Sequence, residues 1–300
     1  MNTTGTPRAT PGNPTSEERR TRRHFPRLQL VLGAIIMAAA IGLAVFAPVL
    51  APRDPLSQTL GIRLQPPGTI VDGKLYLFGT DQLGRDLLSR TIYGAQISLL
   101  VSGGAVLLSA LAGVLLGMVS GFYGGRVDFV LMKLADIQLA FPFVLLAIAV
   151  VAIVGSSLTT MTVVLAFSGW VIYTRTVRAA VLSLREREFI DAAHALGSSN
   201  FRILGRHLFP NVVSLILVIA SVEVAKMILL ESTISFLGLG IQPPTPTWGN
   251  ILGEGRQYID TAWWIALFPG IALMTTVLGI NFFSDGLRDY LDPHQQKRLT

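Results

Sequence analysis

The chain has 300 residues, of which 51% are hydrophobic and only 14% charged, with a formal net charge of +6. That balance is far from a soluble domain and points to a membrane protein. The absence of cysteine excludes disulfides, thiolate metal sites and a cysteine nucleophile. The positive charge flanks apolar segments and forms no basic face of a folded soluble domain, so nucleic-acid binding is not supported.

In chain order, residues 1–27 are rich in Pro, Thr, Ser and Arg and are expected to form a disordered cytoplasmic tail. Within them TRRHFPR (Thr21 to Arg27) resembles a twin-arginine export signal. The stronger reading is orientation, since arginines before a first span are what it requires and the apolar run behind them exceeds a signal core. From there the pattern predicts six membrane-spanning helices, each long enough for a hydrocarbon layer of about 30 Å. They lie near Leu28–Leu50, Ile97–Phe122, Phe129–Val154, Leu158–Val181, Val212–Ile234 and Trp263–Phe283. Residues 28–292 thus form one all-α transmembrane domain, followed by a short tail over 293–300. Of the 24 Lys and Arg residues, 16 fall in segments on one side (residues 1–27, 124–128, 173–210 and from 284), counting Arg175 and Arg178 at the inner end of the fourth span; six fall on the other side, and Lys133 and Lys226 lie inside spans. The positive-inside rule then places both termini in the cytoplasm.

The outer segment, residues 51–96, reads as a structured, turn-rich loop with a short amphipathic helix near Gly84 to Tyr93. Inside it, GTIVDGKL (Gly68 to Leu75) has the glycine and lysine spacing of a phosphate loop. The mechanism fails there: Leu75 stands where the magnesium-binding Ser or Thr belongs, no apolar strand precedes it, and the loop lies outside the cell. The chain contains no zinc-type histidine spacing, no G-x-S-x-G elbow and no paired carboxylates on a plausible cleft. An enzyme is therefore not supported.

Residues 182–210 carry too many charges to cross a bilayer, yet they are no random linker. Glu186 to Leu196 holds good helix formers, Gly197 suits a left-handed cap, and Ser198, Ser199 and Asn200 suit the start of a second helix. That second helix should carry Phe201, Leu204 and Leu208 on one side before Pro210. The segment reads as two short helices around a glycine bend, suited either to a soluble partner or to an anionic lipid surface.

DAAHALG (Asp191 to Gly197) followed by RHLFPN (Arg206 to Asn211) resembles the coupling-loop signature of ABC importer permeases, with Asp191 where Glu is usual and Phe209 where Leu is usual. FGTDQLGRDLLSRTIYGAQISL, ESTISFLGLGIQPPTPTWGNIL and NFFSDGLRDYLDP narrow the resemblance to the C-type subunit of the dipeptide/oligopeptide branch, from about residue 28 to 293. The resemblance implies type I ABC importer permease architecture with cytoplasmic coupling helices in a prokaryotic inner membrane. It also implies a paralogous permease, two ATP-binding subunits that use ATP and Mg, an extracytoplasmic substrate-binding protein, and no cofactor or metal bound by this chain. Asp191, Ala192, Ala193, Gly197, Phe201, Leu204 and Pro210 are the implied ATPase-coupling residues. Peptide is the expected cargo, with nickel chelates or glutathione as alternatives on the same machinery.

Asp81, Arg85, Asp86, Glu231 and Trp248 are candidates for the outer gate or for binding-protein contact, in segments too elaborate for bare connectors. Inside the spans Lys133 pairs by spacing with Asp136, and Glu223 with Lys226. These pairs are read as neutralised charges at a subunit interface, against substrate contact as the alternative. A self-sufficient secondary transporter is the competing class, and it would leave the 182–210 hairpin without a purpose.

Overall fold

The computed structural model describes residues 16–291. Helix α1 (Ser16–Val45) starts twelve residues before the first expected span. Ser16 followed by Glu17, Glu18, Arg19 and Arg20 is a helix-start pattern followed by strong helix formers. Residues 1–15 and 292–300, and with them the remainder of both expected tails, lie outside the described residues.

A short helix α2 (Ala47–Leu50) completes the first span, and the chain then forms a hairpin of β1 (Thr69–Val71) and β2 (Lys74–Tyr76). The strands pair antiparallel, with Val71 opposite Lys74, so the segment with phosphate-loop spacing is a tight β-turn. The expected short amphipathic helix near Gly84 to Tyr93 is instead the start of a single 37-residue helix, α3 (Leu87–Tyr123). Asp86 caps it by accepting from the Ser89 N–H at 2.8 Å.

The third expected span is broken. Helix α4 (Gly125–Ala140) and helix α5 (Phe143–Val154) meet at 87° across Phe141 and Pro142. Pro142 cannot donate to the ladder and pushes the residue before it out of the helical region; Phe141 has φ −100° and ψ 133°. Helix α6 (Leu158–Arg185) is the fourth span. It packs tightly on α3, where Gly113, Gly117 and Gly121 bring backbone to backbone: a Cβ on Gly117 would lie 2.7 Å from the Thr174 carbonyl oxygen.

Helix α7 (Glu188–Ala195) lies between α6 and α9, and α8 (Asn200–Arg202) passes through a π turn, Ile203–Leu208, into α9 (Phe209–Phe236). The second helix of the expected hairpin is therefore not separate. Asn200–Phe236 is one continuous 37-residue run that contains the fifth span. Pro210 does not end it, because the wider π turn just before it accommodates the missing N–H and the bulk of the ring. Helix α10 (Trp248–Gly255) crosses the outer side, and α11 (Trp264–Leu291) returns against α1.

The fold is an all-α membrane protein. Among the described residues, four helices are long and apolar enough to cross a membrane, and the bent α4–α5 pair makes a fifth. With α6, 28 residues long, the arrangement is consistent with six spans. Four apolar clusters make up the core of the described residues; one holds Met161, Leu165, Met227 and Ile234, and another holds Tyr173, Val177, Ile203 and Leu208 near α7.

Candidate functional site

At the end of α6, Arg187 turns the chain into α7, whose Ile190 and Ala193 are buried among Val177, Val181, Ile203 and Leu208. Three-residue spacing places both on one helix face, so α7 is seated on the core by a narrow apolar stripe. Its end is closed by two bonds: the Gly197 N–H donates to the His194 carbonyl at 2.9 Å, and the Ser198 N–H donates to the Ala193 carbonyl at 3.0 Å. This is the paired 5→2 and 6→1 closure of a Schellman motif, with Gly197 in the left-handed position at φ +76°. A Cβ at Gly197 would meet nothing within 4 Å, so the glycine is required by backbone conformation and not by crowding.

Around that turn the chain presents apolar surface to solvent. Leu196 and Phe201 are each 86% exposed, and Phe189 is 42% exposed. Asp191, Ala192, Gly197, Phe201 and Pro210 are exposed, as a contact surface requires. Ala193 is buried and Leu204 half-buried against the core, so these two hold the element in place and offer no outward contact. Phe201 does not share a face with Leu204 and Leu208, because the π turn shifts the helical phase between them. Leu196, absent from the sequence candidates, is among the most exposed apolar side chains here.

On the opposite side, the first outer segment and the α10 region close into one cap. Asp81 accepts from Arg85 Nε at 2.5 Å and Arg90 Nη1 at 2.6 Å. Glu254 accepts from Gln82 at 2.7 Å, from Arg85 at 2.9 Å and from Arg90 at 2.7 and 3.1 Å. Burial pushes the Glu254 carboxyl upward, but the Arg90 hydrogen bonds and charge, with help from Gln82 and Arg85, hold it below the usual range. Two indole N–H groups add to the closure: Trp248 donates to the Thr91 carbonyl at 3.0 Å and Trp264 to the Thr80 carbonyl at 3.1 Å. Gly84, with φ +71°, permits the tight turn here; a Cβ would lie 1.9 Å from the Thr59 carbonyl oxygen.

Asp81, Arg85, Asp86, Glu231 and Trp248, the candidates for the outer gate or for binding-protein contact, are all buried within the chain. The reason is mutual pairing: the charges meant for a surface are spent on each other. Asp86 caps α3 and accepts from Arg53 at 3.1 Å. Glu231 accepts from Ser98 at 3.0 Å and Ser235 at 2.8 Å. Ser98 Oγ also accepts from the Trp248 N–H, which ties α3, α9 and α10 together. Glu254 and Arg90 were missed because their bond joins residues 164 positions apart, which no local pattern reveals.

In the spans, Lys226 donates to Glu223 at 3.1 Å, as their spacing suggested. Lys133 stands 4.0 Å from Asp136, but Arg175 of α6 binds the same carboxylate more closely.

Apolar spans, an extramembrane helix with an exposed hydrophobic tip and a closed outer cap define a helical membrane permease subunit. Over residues 113–297 the chain matches the family described as binding-protein-dependent transport system inner membrane component. The chain belongs to that family. It is 41% identical over 262 residues to the di/tripeptide transport system permease protein DppC of Pseudomonas aeruginosa, covering 87% of this chain and 86% of that protein. The dipeptide transport system permease protein DppC of Alkalihalophilus pseudofirmus is 41% identical over 292 residues, with 94% of each chain covered. The protein of the same name in Haemophilus influenzae is 38% identical over 264 residues, covering 88% and 90%. As a permease component of the ABC transporter class, the chain is a membrane channel subunit and not the catalytic one.

Proposed function

We propose that this chain forms one half of the pore of an ATP-driven peptide importer, moving di- or oligopeptides inward by alternating access. A paralogous permease supplies the other half, an extracytoplasmic binding protein delivers the peptide, and two ATPase subunits, which use ATP and Mg, seat on α7 and the turn at Gly197. Both termini are cytoplasmic. The peptide assignment is supported by the relatives, which are di/tripeptide and dipeptide transport permeases. The coupling assignment is carried by one observation: Leu196 and Phe201 stand out, each 86% exposed, from a turn whose other side is buried in the core. Such a tip is rigid at its base and apolar at its end, as docking requires. Nucleotide binding moves the pore only insofar as the ATPases hold one permease conformation better than the other. The effect is reciprocal for binding: a loaded binding protein outside alters nucleotide affinity inside.

The test is Gly197→Val in the reconstituted four-subunit membrane complex. A β-branched residue in the left-handed region costs on the order of 1–2 kcal/mol and re-aims the start of the long helix. Membrane insertion and pairing with the second permease should be retained, while ATPase docking or stimulation of hydrolysis by loaded binding protein is lost. Normal stimulated hydrolysis and normal uptake in a well-expressed variant would refute the coupling role. Ion-driven peptide uptake by this chain alone in liposomes would favour a secondary transporter instead.

A further inference from the structure

We propose that the seam between α4 and α6 is a wall of the aqueous substrate route, and that the cationic cluster of Lys133 and Arg175 receives a carboxylate of the passing peptide. The inference rests on the peptide-import reading above and assigns it a site. Lys133, Asp136 and Arg175 are 61%, 51% and 44% exposed at their side chains, so the chain itself does not cover them. Asp136 lies eleven residues into α4, and Arg175 ten residues before the end of α6. Counted from the expected span ends at Phe129 and Val181, at 1.5 Å per residue both stand roughly 10 Å inside the membrane. A charge facing hydrocarbon there is costly and rare. The face therefore meets water or protein.

Three observations favour water. First, α4 buries only Ala135 among its 16 residues, so it is not held by apolar packing. Its links to α6 are polar: Arg178 donates to Asp128 at 2.6 Å, Arg175 to Asp136, and the Trp170 indole N–H to Gln138. Second, the helix breaks by 87° at Phe141 and Pro142, five residues beyond Asp136. Broken helices at membrane depth are tolerated where they line a cavity, and transporters place substrate sites beside them. Third, the cluster is not neutral. Two cations share one carboxylate, leaving one positive charge and unused guanidinium donors on Arg175. A peptide carboxylate supplies the missing charge with geometry that suits a guanidinium fork.

The absence of cysteine makes the test direct. Ile172→Cys places a thiol one turn from Arg175 on the same face, with the cluster intact; Ile172 is 43% exposed. In the full complex in proteoliposomes, with a cysteine-free partner permease, the thiol is treated with anionic and cationic methanethiosulfonates, and labelling of this chain is read by mass. The expected result is labelling at least tenfold faster than at the buried control Ala135→Cys. The anionic reagent should be preferred, Arg175→Gln should remove that preference, and turnover with loaded binding protein and ATP should slow labelling. If Ile172→Cys reacts no faster than the control in nucleotide-free and vanadate-trapped complexes, the seam faces the partner permease or lipid and the proposal falls. Fast labelling without anionic preference overturns the carboxylate assignment. Peptide uptake by the unaltered complex, measured alongside, judges the import reading separately.

Discussion

Glu254 shows how much a single carboxylate can organise. It is the acceptor that joins Gln82, Arg85 and Arg90 to α10, and its side chain is only 18% exposed. Because its folded pKa lies below the ordinary value of 4.5, the pairing adds stability that is fully present above that value. It is lost as pH falls through the lowered folded pKa. Thermal unfolding of the purified protein should therefore show an acid limb that begins below about pH 4.5, and Glu254→Gln should flatten it. The same variant should cost on the order of 3 kcal/mol at neutral pH, since it leaves two buried guanidinium groups short of a partner. An unchanged acid limb in the variant would place the titration elsewhere. At the turn around Gly197, Leu196→Ser and Phe201→Ser should leave stability within about 0.5 kcal/mol, because both side chains are solvent-exposed. They should nonetheless weaken ATPase association measured by co-purification. Gly197 was legible from its place after a helix-forming run, since only glycine takes the left-handed position without strain. Leu196 was not, because exposure of an apolar side chain is a property of the assembled surface.

Among the elements, α3 depends on its two ends and on its small-residue stripe. Asp86→Ala removes the cap and the partner of Arg53, and should lower stability by about 1–2 kcal/mol, while Asp86→Asn retains most of the cap. Gly117→Leu has no such conservative escape: its side chain would collide with the Thr174 backbone of α6. The expected outcome is failure to accumulate in the membrane, read by immunoblot, with Gly103→Leu as the tolerated control because its position is open. Hydropathy located the spans, since membrane insertion is itself a sum over local apolar residues. It did not show that the third is broken or that the fifth is continuous with Asn200–Leu208. Those features turn on the backbone at Pro142 and Pro210, and proline alone does not say whether a helix bends or absorbs it.

For the whole molecule, the orientation drawn from the basic residues can be tested with single thiols. A cysteine at Ser199 should react with an impermeant maleimide only from the cytoplasmic side, and one at Gln65 only from outside; reaction of both from one side would sink the topology. The outer cap is the part of the molecule that sequence revealed least. Its residues were recognised as too elaborate for a connector, but their burial depends on bonds between segments more than 150 residues apart. The long run Asn200–Phe236 connects these two regimes. At 1.5 Å per residue it is a rod of about 55 Å, with its foot beside the exposed Leu196 and Phe201 and Glu231 near its head. Treated as a lever with its fulcrum at mid-membrane, a tilt of about 10° moves foot and head by roughly 5 Å in opposite directions. Stiffness decides how much of that stroke arrives. The π turn at Ile203–Leu208 sits next to the foot, and its Ile203 and Leu208 are fully buried in the core, so packing braces the bend and the shaft above it follows the foot.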